Sequence, residues 1–212
     1  MHSLFDMDSP LMNGLGKIYD CMMLSVCWVL FSLPIVTMGA ASGALYRTVY
    51  RCIRRDEGYP LKVFWQTFRQ NLKTGILTWL PILAVYAFLI ADAVILRGFI
   101  LQGQPLSRIY GIVLVLIGVA SVWAAYCTAY CVRFNGKLKE ILWVNFFLVL
   151  SHPLMTIVML LLLTMGAALM LLVPFLALFV PCLVCLGLSF PMETVFLKHM
   201  RPEDVERVKN GE

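Results

Sequence analysis

The chain has 212 residues, of which 61% are hydrophobic and 14% charged, and its mean hydropathy is +0.85. Soluble domains are about 45–50% apolar and about 25% charged, so this composition excludes an ordinary soluble domain and predicts an integral membrane protein. The length allows roughly five or six helices of about 20 residues. The formal net charge of +5 comes from Lys and Arg beside apolar runs, which indicates membrane topology and argues against nucleic-acid binding.

The first apolar run predicts a helix over residues 10–33, which ends before Pro34 because a residue that precedes proline avoids the α conformation. A second helix is predicted over residues 37–56, with Thr37 as its N-cap, a Gly- and Ala-rich first half and four arginines in its second half. Small residues of this kind let helices pack closely in lipid. One kinked crossing over residues 10–56 is the alternative interpretation.

The next segment, residues 59–73, alternates apolar and polar side chains with helical periodicity. Leu61, Phe64 and Phe68 fall on one face, with basic residues on the other, which predicts an amphipathic helix in the membrane interface. A plain helical extension of the next span, predicted over residues 74–96, is the alternative.

Further apolar runs follow along the chain. They predict spans over 109–132, 153–173 and 174–192, with a second interfacial helix over 138–151 and a kink at Pro181. The predicted fold class is therefore all-α. It is a polytopic transmembrane helix bundle of five to six spans, in a single integral membrane domain (1–212), with amphipathic interfacial helices on the cytoplasmic side.

Lys and Arg are concentrated in residues 47–73, in residues 133–139 and in the tail from residue 198, whereas the opposite side carries Arg97 and Arg108. The positive-inside rule then places the three basic stretches in the cytoplasm. The sequence thus predicts a multi-pass protein of the cell membrane with a cytoplasmic C-terminus. If residues 10–56 form two helices, the N-terminus is cytoplasmic as well.

Two groups of side chains are candidate functional residues. The first is a basic surface that contacts lipid headgroups or docks an acidic cytoplasmic partner: Arg47, Arg51, Arg54, Arg55, Arg69 and Lys73. The second is a set of ionisable residues at or inside the membrane, where such residues are costly and often functional: Asp20, Asp92 and His152. The structural alternatives are an ion pair of Asp20 with Lys17, an interfacial acid at Asp92 and a polar cap at His152. Glu193 is expected to pair with Lys198 or Arg201.

No catalytic motif is present: the chain has no phosphate-binding loop, zinc-protease helix motif or nucleophile elbow. The seven cysteines lie in or beside apolar runs, which is typical of small buried residues rather than of a disulfide framework. The Cys182-Leu-Val-Cys185 segment has metal-ligand spacing but lacks a second pair. We therefore expect no enzymatic activity, no metal and no cofactor.

Three segments carry a family resemblance: "DSPLMNGLGKIYD", "SLPIVTMGA" and "ALYRTVYRCIRRDEGYPLKVFWQTFRQNLK". They closely resemble the YesL-like family of small bacterial membrane proteins, a domain of unknown function, and the likeness is strongest over residues 5–75. Members of the family are often encoded near carbohydrate uptake systems and sugar-degrading enzymes. The resemblance therefore implies a protein accessory to carbohydrate uptake or its regulation, in contact with an uptake or sensing complex. A small-solute transporter in its own right is the alternative. The oligomeric state is left open.

Overall fold

The computed structural model describes residues 10–56, 58–102, 107–134 and 138–199. All regular structure in these ranges is helical, which confirms the predicted all-α fold. The helices are α1 (Pro10–Ser32), α2 (Met38–Thr48), α3 (Pro60–Leu101), α4 (Ser107–Arg133), α5 (Leu138–Ser151), α6 (Pro153–Leu172) and α7 (Val180–His199). Ile35–Thr37 and Pro174–Leu178 are short 3₁₀ helices, and a π-helix over Val49–Arg54 continues α2. The predicted cytoplasmic C-terminus lies outside the described residues.

Three helices in the described part of the chain are long and apolar enough to cross a membrane. They are Pro60–Leu101, Arg108–Arg133 and Pro153–Leu172. Large apolar side chains also face outward on several helices; Phe88 is 67% exposed and Leu171 is 85% exposed. Such a surface is unfavourable in water and favourable in lipid, so the structure is that of a membrane protein.

Helices α1 and α2 form an antiparallel hairpin. Lys17, near the start of α1, pairs with Asp56, beyond the end of α2, with 2.8 Å between Nζ and Oδ1. Nearer the turn, Trp28 Nε1 donates to Ser42 Oγ at 3.1 Å. A single straight helix would separate residues 17 and 56 by roughly 60 Å. Residues 10–56 therefore form two helices that turn back on each other, as the two-helix interpretation predicts.

The turn between these helices is closed by Thr37, although not as the sequence predicted. Thr37 makes no side-chain capping bond to the start of α2. Its hydroxyl instead donates to the carbonyl oxygens of Phe31, at 2.7 Å, and Pro34, at 2.8 Å. The last carbonyls of a helix have no partner within that helix, so Thr37 stabilises the end of α1 rather than the start of α2.

Helix α2 lies at the centre of the bundle, because its small residues let other helices approach it closely. Gly39, Ala40, Ala41, Gly43 and Ala44 are all buried. A Cβ atom added to Gly75 of α3 would lie only 2.8 Å from Ala40 Cβ. This is the close packing that small residues permit between helices in membranes.

Helix α3 is one continuous helix of 42 residues, where the sequence predicted an interfacial helix over 59–73 followed by a span over 74–96. No proline lies near residue 73 to interrupt it, and Pro81 is accommodated within the helix. At 1.5 Å per residue the helix is about 63 Å long, roughly twice the thickness of the hydrocarbon core. A location of residues 59–73 in the membrane interface stays a prediction.

The predicted division of residues 59–73 into two faces is largely present in α3. Phe64 and Phe68 are buried against Phe31 of α1, whereas the side chains of Arg69 and Lys73 are exposed. The first part of α3 therefore packs one face on the bundle and presents a basic face outward.

Helices α5 and α6 have nearly the bounds that the sequence predicted and are separated by a break at His152. Pro153 has no N–H to donate to the carbonyl of Val149, its partner in a continuous helix. The Thr156 hydroxyl donates to that carbonyl at 2.9 Å instead. The break thus leaves the freed carbonyl satisfied, as the interior of a membrane protein requires.

The outer face of α5 is apolar, which differs from the amphipathic pattern predicted for residues 138–151. Trp143, Phe147 and Leu150 are each more than 60% exposed. The charged residues of this helix, Lys139 and Glu140, are both in its first turn. Because the polar residues do not form a stripe along the helix, α5 is suited to contact lipid tails over most of its length.

The last predicted span, residues 174–192, is divided in the structure. The 3₁₀ helix Pro174–Leu178 precedes α7, and Pro181 lies in the first turn of α7, where proline is tolerated without a kink. The backbone N–H of Cys182, also in this first turn, donates to Ser25 Oγ of α1 at 3.2 Å. A neighbouring helix therefore satisfies one of the N–H groups at the start of α7.

Candidate functional site

A cavity of about 370 Å³ lies between the helices of the bundle. Its walls come from α1, α2, α3, α4, α6 and α7. Most of the lining side chains are apolar, and the polar or partly polar ones include Trp28, Ser42, Tyr46, Tyr86 and Ser121. An apolar cavity with a few convergent polar groups is the usual form of a small-molecule site.

Most of these polar groups are paired with each other across helices. Trp28 Nε1 donates to Ser42 Oγ, which joins α1 to α2. The Tyr86 hydroxyl donates to Ser121 Oγ at 2.8 Å, which joins α3 to α4. These bonds fix the shape of the wall and leave the paired hydroxyls less available to a ligand.

The Tyr46 hydroxyl differs from the other polar groups of the wall. Tyr46 is 6% exposed, and its hydroxyl oxygen is buried without a hydrogen bond of ordinary geometry in the described part of the chain. The same hydroxyl lies beside the guanidinium of Arg133. Tyr46 therefore connects the cavity to the charged residues next to it.

The charged residues form a cluster of two arginines on one carboxylate. Glu193 Oε1 lies 3.0 Å from Nη1 of Arg133, and Glu193 Oε2 lies 3.1 Å from Nη1 of Arg54. The side chains of Glu193 and Arg133 are only 11% and 13% exposed, and that of Arg54 is 30% exposed. We call these three residues the Arg–Glu–Arg cluster. It joins the π-helix after α2, the end of α4 and α7.

Aromatic rings surround the arginines of the cluster. Arg54 Cζ lies 4.4 Å from the centre of the Phe190 ring, and Arg133 Cζ lies 5.5 Å from that of Tyr50. Arg55 Cζ is 4.8 Å from the Tyr50 ring. Cations are attracted to the faces of such rings, and the attraction is larger where water is excluded. Tyr50 thus lies between the Arg–Glu–Arg cluster and Arg55.

The π-helix over Val49–Arg54 brings these side chains together. A π-helix has more residues per turn than an α-helix, so it changes which side chains share a face, and such segments are common at functional sites. Arg47, which precedes it, donates from Nη1 to the carbonyl of Val132 in the last turn of α4 at 3.1 Å. Arg54, within it, reaches Glu193 instead. The two arginines therefore contact different helices.

The remaining residues predicted from the sequence lie in separate places. Arg69 and Lys73 lie on the exposed face of α3 and do not pair with Glu193. Asp20 and Asp92 are partly buried on α1 and α3, and His152 lies at the break between α5 and α6. Among the residues that the structure describes, no three His, Cys, Asp or Glu side chains are grouped as metal ligands.

Two acids whose partners were predicted on the same helix or close in sequence have long-range ion pairs in the structure. Lys17 pairs with Asp56, 39 positions away, rather than with Asp20 on its own helix. Glu193 pairs with Arg54 and Arg133, whereas the sequence suggested Lys198 or Arg201. The side chain of Lys198 and the whole of Arg201 lie outside the described residues. Local spacing favours an ion pair between neighbours on one helix. In a buried site the attraction between charges is stronger, so an acid pairs with the cation that the fold places beside it.

Sequence reasoning missed Arg133, Tyr46 and Tyr50 as site residues. Arg133 belongs to the basic stretch 133–139, which indicated only topology, and the two tyrosines lie among the arginines of the second predicted helix. One signal was available: Glu193 is an acid at the end of the last predicted span, where another helix can supply the cation that it needs. The sequence could not show which helix supplies it.

The chain is similar to a family of unknown function and to one of its bacterial members. A family model described as "Protein of unknown function, DUF624" matches residues 21–93. The chain is 27% identical over 158 residues to "Uncharacterized protein YesL" of Bacillus subtilis (strain 168), an alignment that covers 69% of this chain and 72% of the relative. No solved structure matches it. The two matches confirm the predicted resemblance to the YesL-like family.

Proposed function

We propose that this YesL-like membrane protein binds a small solute in the cavity of its helix bundle, as the solute-binding part of an uptake or sensing system. The observation that carries the proposal is the cavity of about 370 Å³, which is lined by side chains from six of the helices, including the buried Tyr46. Cavities of about 300–1,000 Å³ with this type of lining are typical of small-molecule sites.

The proposal includes a topology. We expect α1, α2, α3, α4, the α5–α6 pair and α7 each to cross the membrane, because α1 and α2, α2 and α3, α3 and α4, and α6 and α7 run in opposite directions where they touch. α2 together with its π-helix has 17 residues, about 25 Å of length, which is close to the thickness of the hydrocarbon core. The positive-inside rule places Lys17, Arg54 and Arg133 near the cytoplasmic side.

One feature favours a transporter over a purely structural accessory protein. Many transporters have interrupted helices. Here the α5–α6 pair is interrupted at His152, where the Thr156 hydroxyl donates to the freed carbonyl of Val149. A carbohydrate-related role is an expectation from the family resemblance, so sugars belong among the first solutes to test.

A matched pair of alanines in α6 tests the proposal. Both residues are exposed, but Ala167 lines the cavity and the next residue, Ala168, does not. The probes are a monosaccharide, a disaccharide, 4-phenylbutanol and 4-phenylbutyrate, titrated into the protein in nanodiscs. Binding is followed by tryptophan fluorescence, because Trp28 and Trp79 line the cavity.

We expect at least one probe to bind, Ala167→Phe to weaken that binding at least tenfold, and Ala168→Phe to leave it unchanged. A phenylalanine at 167 occupies the space that the solute needs, whereas one at 168 faces away from it. If no probe binds, or if both variants bind every probe as the unaltered protein does, the cavity is not the solute site.

A second candidate function rests on a different observation, the exposed basic face of α3. Lys62, Arg69 and Lys73 lie on this face and are all exposed. We propose that they dock an acidic cytoplasmic protein, such as a component of a carbohydrate uptake or sensing complex, because complementary charge governs such encounters. Arg54 is a poor choice for testing this idea, since reversing its charge would also disrupt the Arg–Glu–Arg cluster.

A further inference from the structure

We propose that Cys21 of α1 and Cys182 of α7 are a redox-active thiol pair, which a quinone dissolved in the membrane oxidises to a disulfide that joins the two helices. The proposal adds a chemical activity to the chain and does not depend on which solute the cavity binds. Three observations carry it: the contact between the two thiols, their burial, and a third thiol that connects them to the cavity.

The first observation is that the two thiols are in contact. The side chain of Cys21 is hydrogen-bonded to that of Cys182. A second contact, one helical turn further along α1, supports this placement, because Ser25 Oγ accepts the backbone N–H of Cys182 at 3.2 Å. A disulfide requires its two sulfurs about 2.0 Å apart, and two thiols in contact need only a small approach to reach that distance. The packing of α1 on α7 therefore positions the pair for a disulfide.

The second observation is that the pair lies away from water. Cys21 is 8% exposed and Cys182 is fully buried, and both belong to the hydrophobic core of the bundle. A charged oxidant such as oxidised glutathione enters an apolar interior slowly, because transfer of charge out of water is costly. The oxidant that fits this location is uncharged and soluble in the membrane, which are the properties of a quinone.

The third observation is a cysteine that connects the pair to the cavity. Cys185 lies about one helical turn after Cys182 on α7, and it lines the cavity wall. Two cysteines with this spacing form the reactive motif of many thiol–disulfide oxidoreductases. The cavity is also lined by the aromatic rings of Trp28, Trp79 and Tyr86, against which the flat ring of a quinone can stack. A quinone in the cavity therefore reaches Cys185 first.

The reaction then proceeds inward by thiol–disulfide exchange. The Cys185 sulfur adds to the quinone, and the Cys182 sulfur attacks Cys185, which forms a disulfide between them and releases the quinol. The Cys21 sulfur next attacks Cys182, which forms the disulfide between the helices and returns Cys185 to a thiol. In total, two thiols and one quinone give one disulfide and one quinol, and the two thiol protons end on the two quinone oxygens.

The test uses the full chain in nanodiscs, fully reduced at the start, with duroquinone as the oxidant. All ring positions of duroquinone carry substituents, which disfavours permanent alkylation of a thiol. We expect two of the seven thiols to be lost and one duroquinol to appear per disulfide. Peptide mass spectrometry should identify Cys21 bonded to Cys182, and dithiothreitol should restore both thiols. Oxidised glutathione at the same concentration should react at least tenfold more slowly.

Serine variants separate the steps. Cys182→Ser should abolish disulfide formation, and Cys185→Ser should slow it at least tenfold while the remaining product still joins residues 21 and 182. Cys127→Ser combined with Cys131→Ser is the matched control, because these two cysteines are also buried but lie on α4 and do not line the cavity. The control should react at the same rate as the unaltered protein.

Several outcomes would contradict the proposal, and those obtained with the unaltered protein do not depend on how well a variant folds. If duroquinone leaves all seven thiols free, or consumes thiols without forming a disulfide, the pair is not oxidised by quinones. A disulfide between other cysteines would show that the contact of α1 with α7 does not select the pair. Equal rates with oxidised glutathione and duroquinone would mean that the thiols react from water, and the membrane oxidant would be wrong.

Discussion

Two regions carry similar basic residues at helical spacing: α2 with its π-helix, and the first part of α3. The fold places these residues in different surroundings. Arg47 and Arg54, from the first region, contact α4 and α7. Arg69 and Lys73, from the second, point outward from α3. From the sequence, both groups belong to one continuous basic surface. In the structure Arg47 and Arg54 are engaged by other helices, whereas the α3 group faces outward.

The difference shows that the role of a positive charge depends on what the fold places opposite it. Glu193 lies in the last helix, far along the chain from Arg54, and pairs with it because α7 packs beside the end of α2. No acid lies opposite Arg69 or Lys73 within hydrogen-bonding distance in the described residues. Spacing along a helix determines which charges share a face, but it does not determine whether that face is inside or outside.

The largest expected effect comes from neutralising the acid of the Arg–Glu–Arg cluster. Glu193→Gln leaves two arginines close together with no counter-charge, and removal of one partner from a buried ion pair costs about 3–5 kcal/mol. We therefore expect the free energy of unfolding in detergent micelles to fall by about this amount. Denaturation followed by circular dichroism measures it.

Glu140→Gln is the control, because Glu140 is exposed in the first turn of α5. It should leave the unfolding transition where it is. If Glu193→Gln is no more destabilising than Glu140→Gln, the Arg–Glu–Arg cluster does not hold α2, α4 and α7 together. The buried Glu193 would then contribute no more to the free energy of unfolding than the exposed Glu140.

An intermediate effect is expected within α3, between the part that touches α2 and the part that does not. A Cβ atom at Gly75 would meet Ala40 of α2, whereas one at Gly98 would meet nothing within 4 Å. Gly75→Ala should therefore destabilise by about 1–3 kcal/mol through overpacking. Gly98→Ala should be neutral or stabilising by up to about 1 kcal/mol, because alanine favours the helix.

The same unfolding measurement applies to both glycine variants. Equal effects of the two substitutions would contradict the close approach of α3 to α2 at Gly75. A fall in stability only for Gly98→Ala would show that the outer end of α3 is packed against something that the single chain does not contain.

The smallest expected effect is on the exposed basic face. Arg69→Gln combined with Lys73→Gln should leave the unfolding transition unchanged, since exposed charges contribute little to stability. Binding of fluorescent poly-glutamate to the protein in neutral-lipid nanodiscs should weaken about two- to fivefold per charge, which corresponds to roughly 0.5–1 kcal/mol each.

Arg97→Gln combined with Arg108→Gln removes two charges at the opposite end of α3 and α4 and serves as the control. It should leave the binding of poly-glutamate nearly unchanged. Equal weakening by both double variants would mean that any surface arginine or lysine suffices. The basic face of α3 would then not be a specific binding surface for an acidic partner.

The sequence alone determined the class of the protein and most of its helices. Hydrophobic content showed that it is a membrane protein, and the ends of α1, α5 and α6 lie close to the predicted ends. The two-helix interpretation of residues 10–56 also agrees with the structure, because Pro34 and the Gly- and Ala-rich segment are local signals. Helix formation and helix ends depend mainly on nearby residues, so a sequence can show them.

Tertiary structure alone decided the continuity of α3, the partners of Glu193 and the cavity. No local signal shows whether a polar face at residues 62–73 marks a separate helix or one end of a long one. Likewise, the pairing of Glu193 with Arg54 and Arg133, and the position of the Tyr46 hydroxyl beside Arg133, depend on how α2, α4 and α7 pack. Ion pairs and cavities are properties of distances between helices, and those distances are set by the close packing that the glycines of α2 and α3 allow.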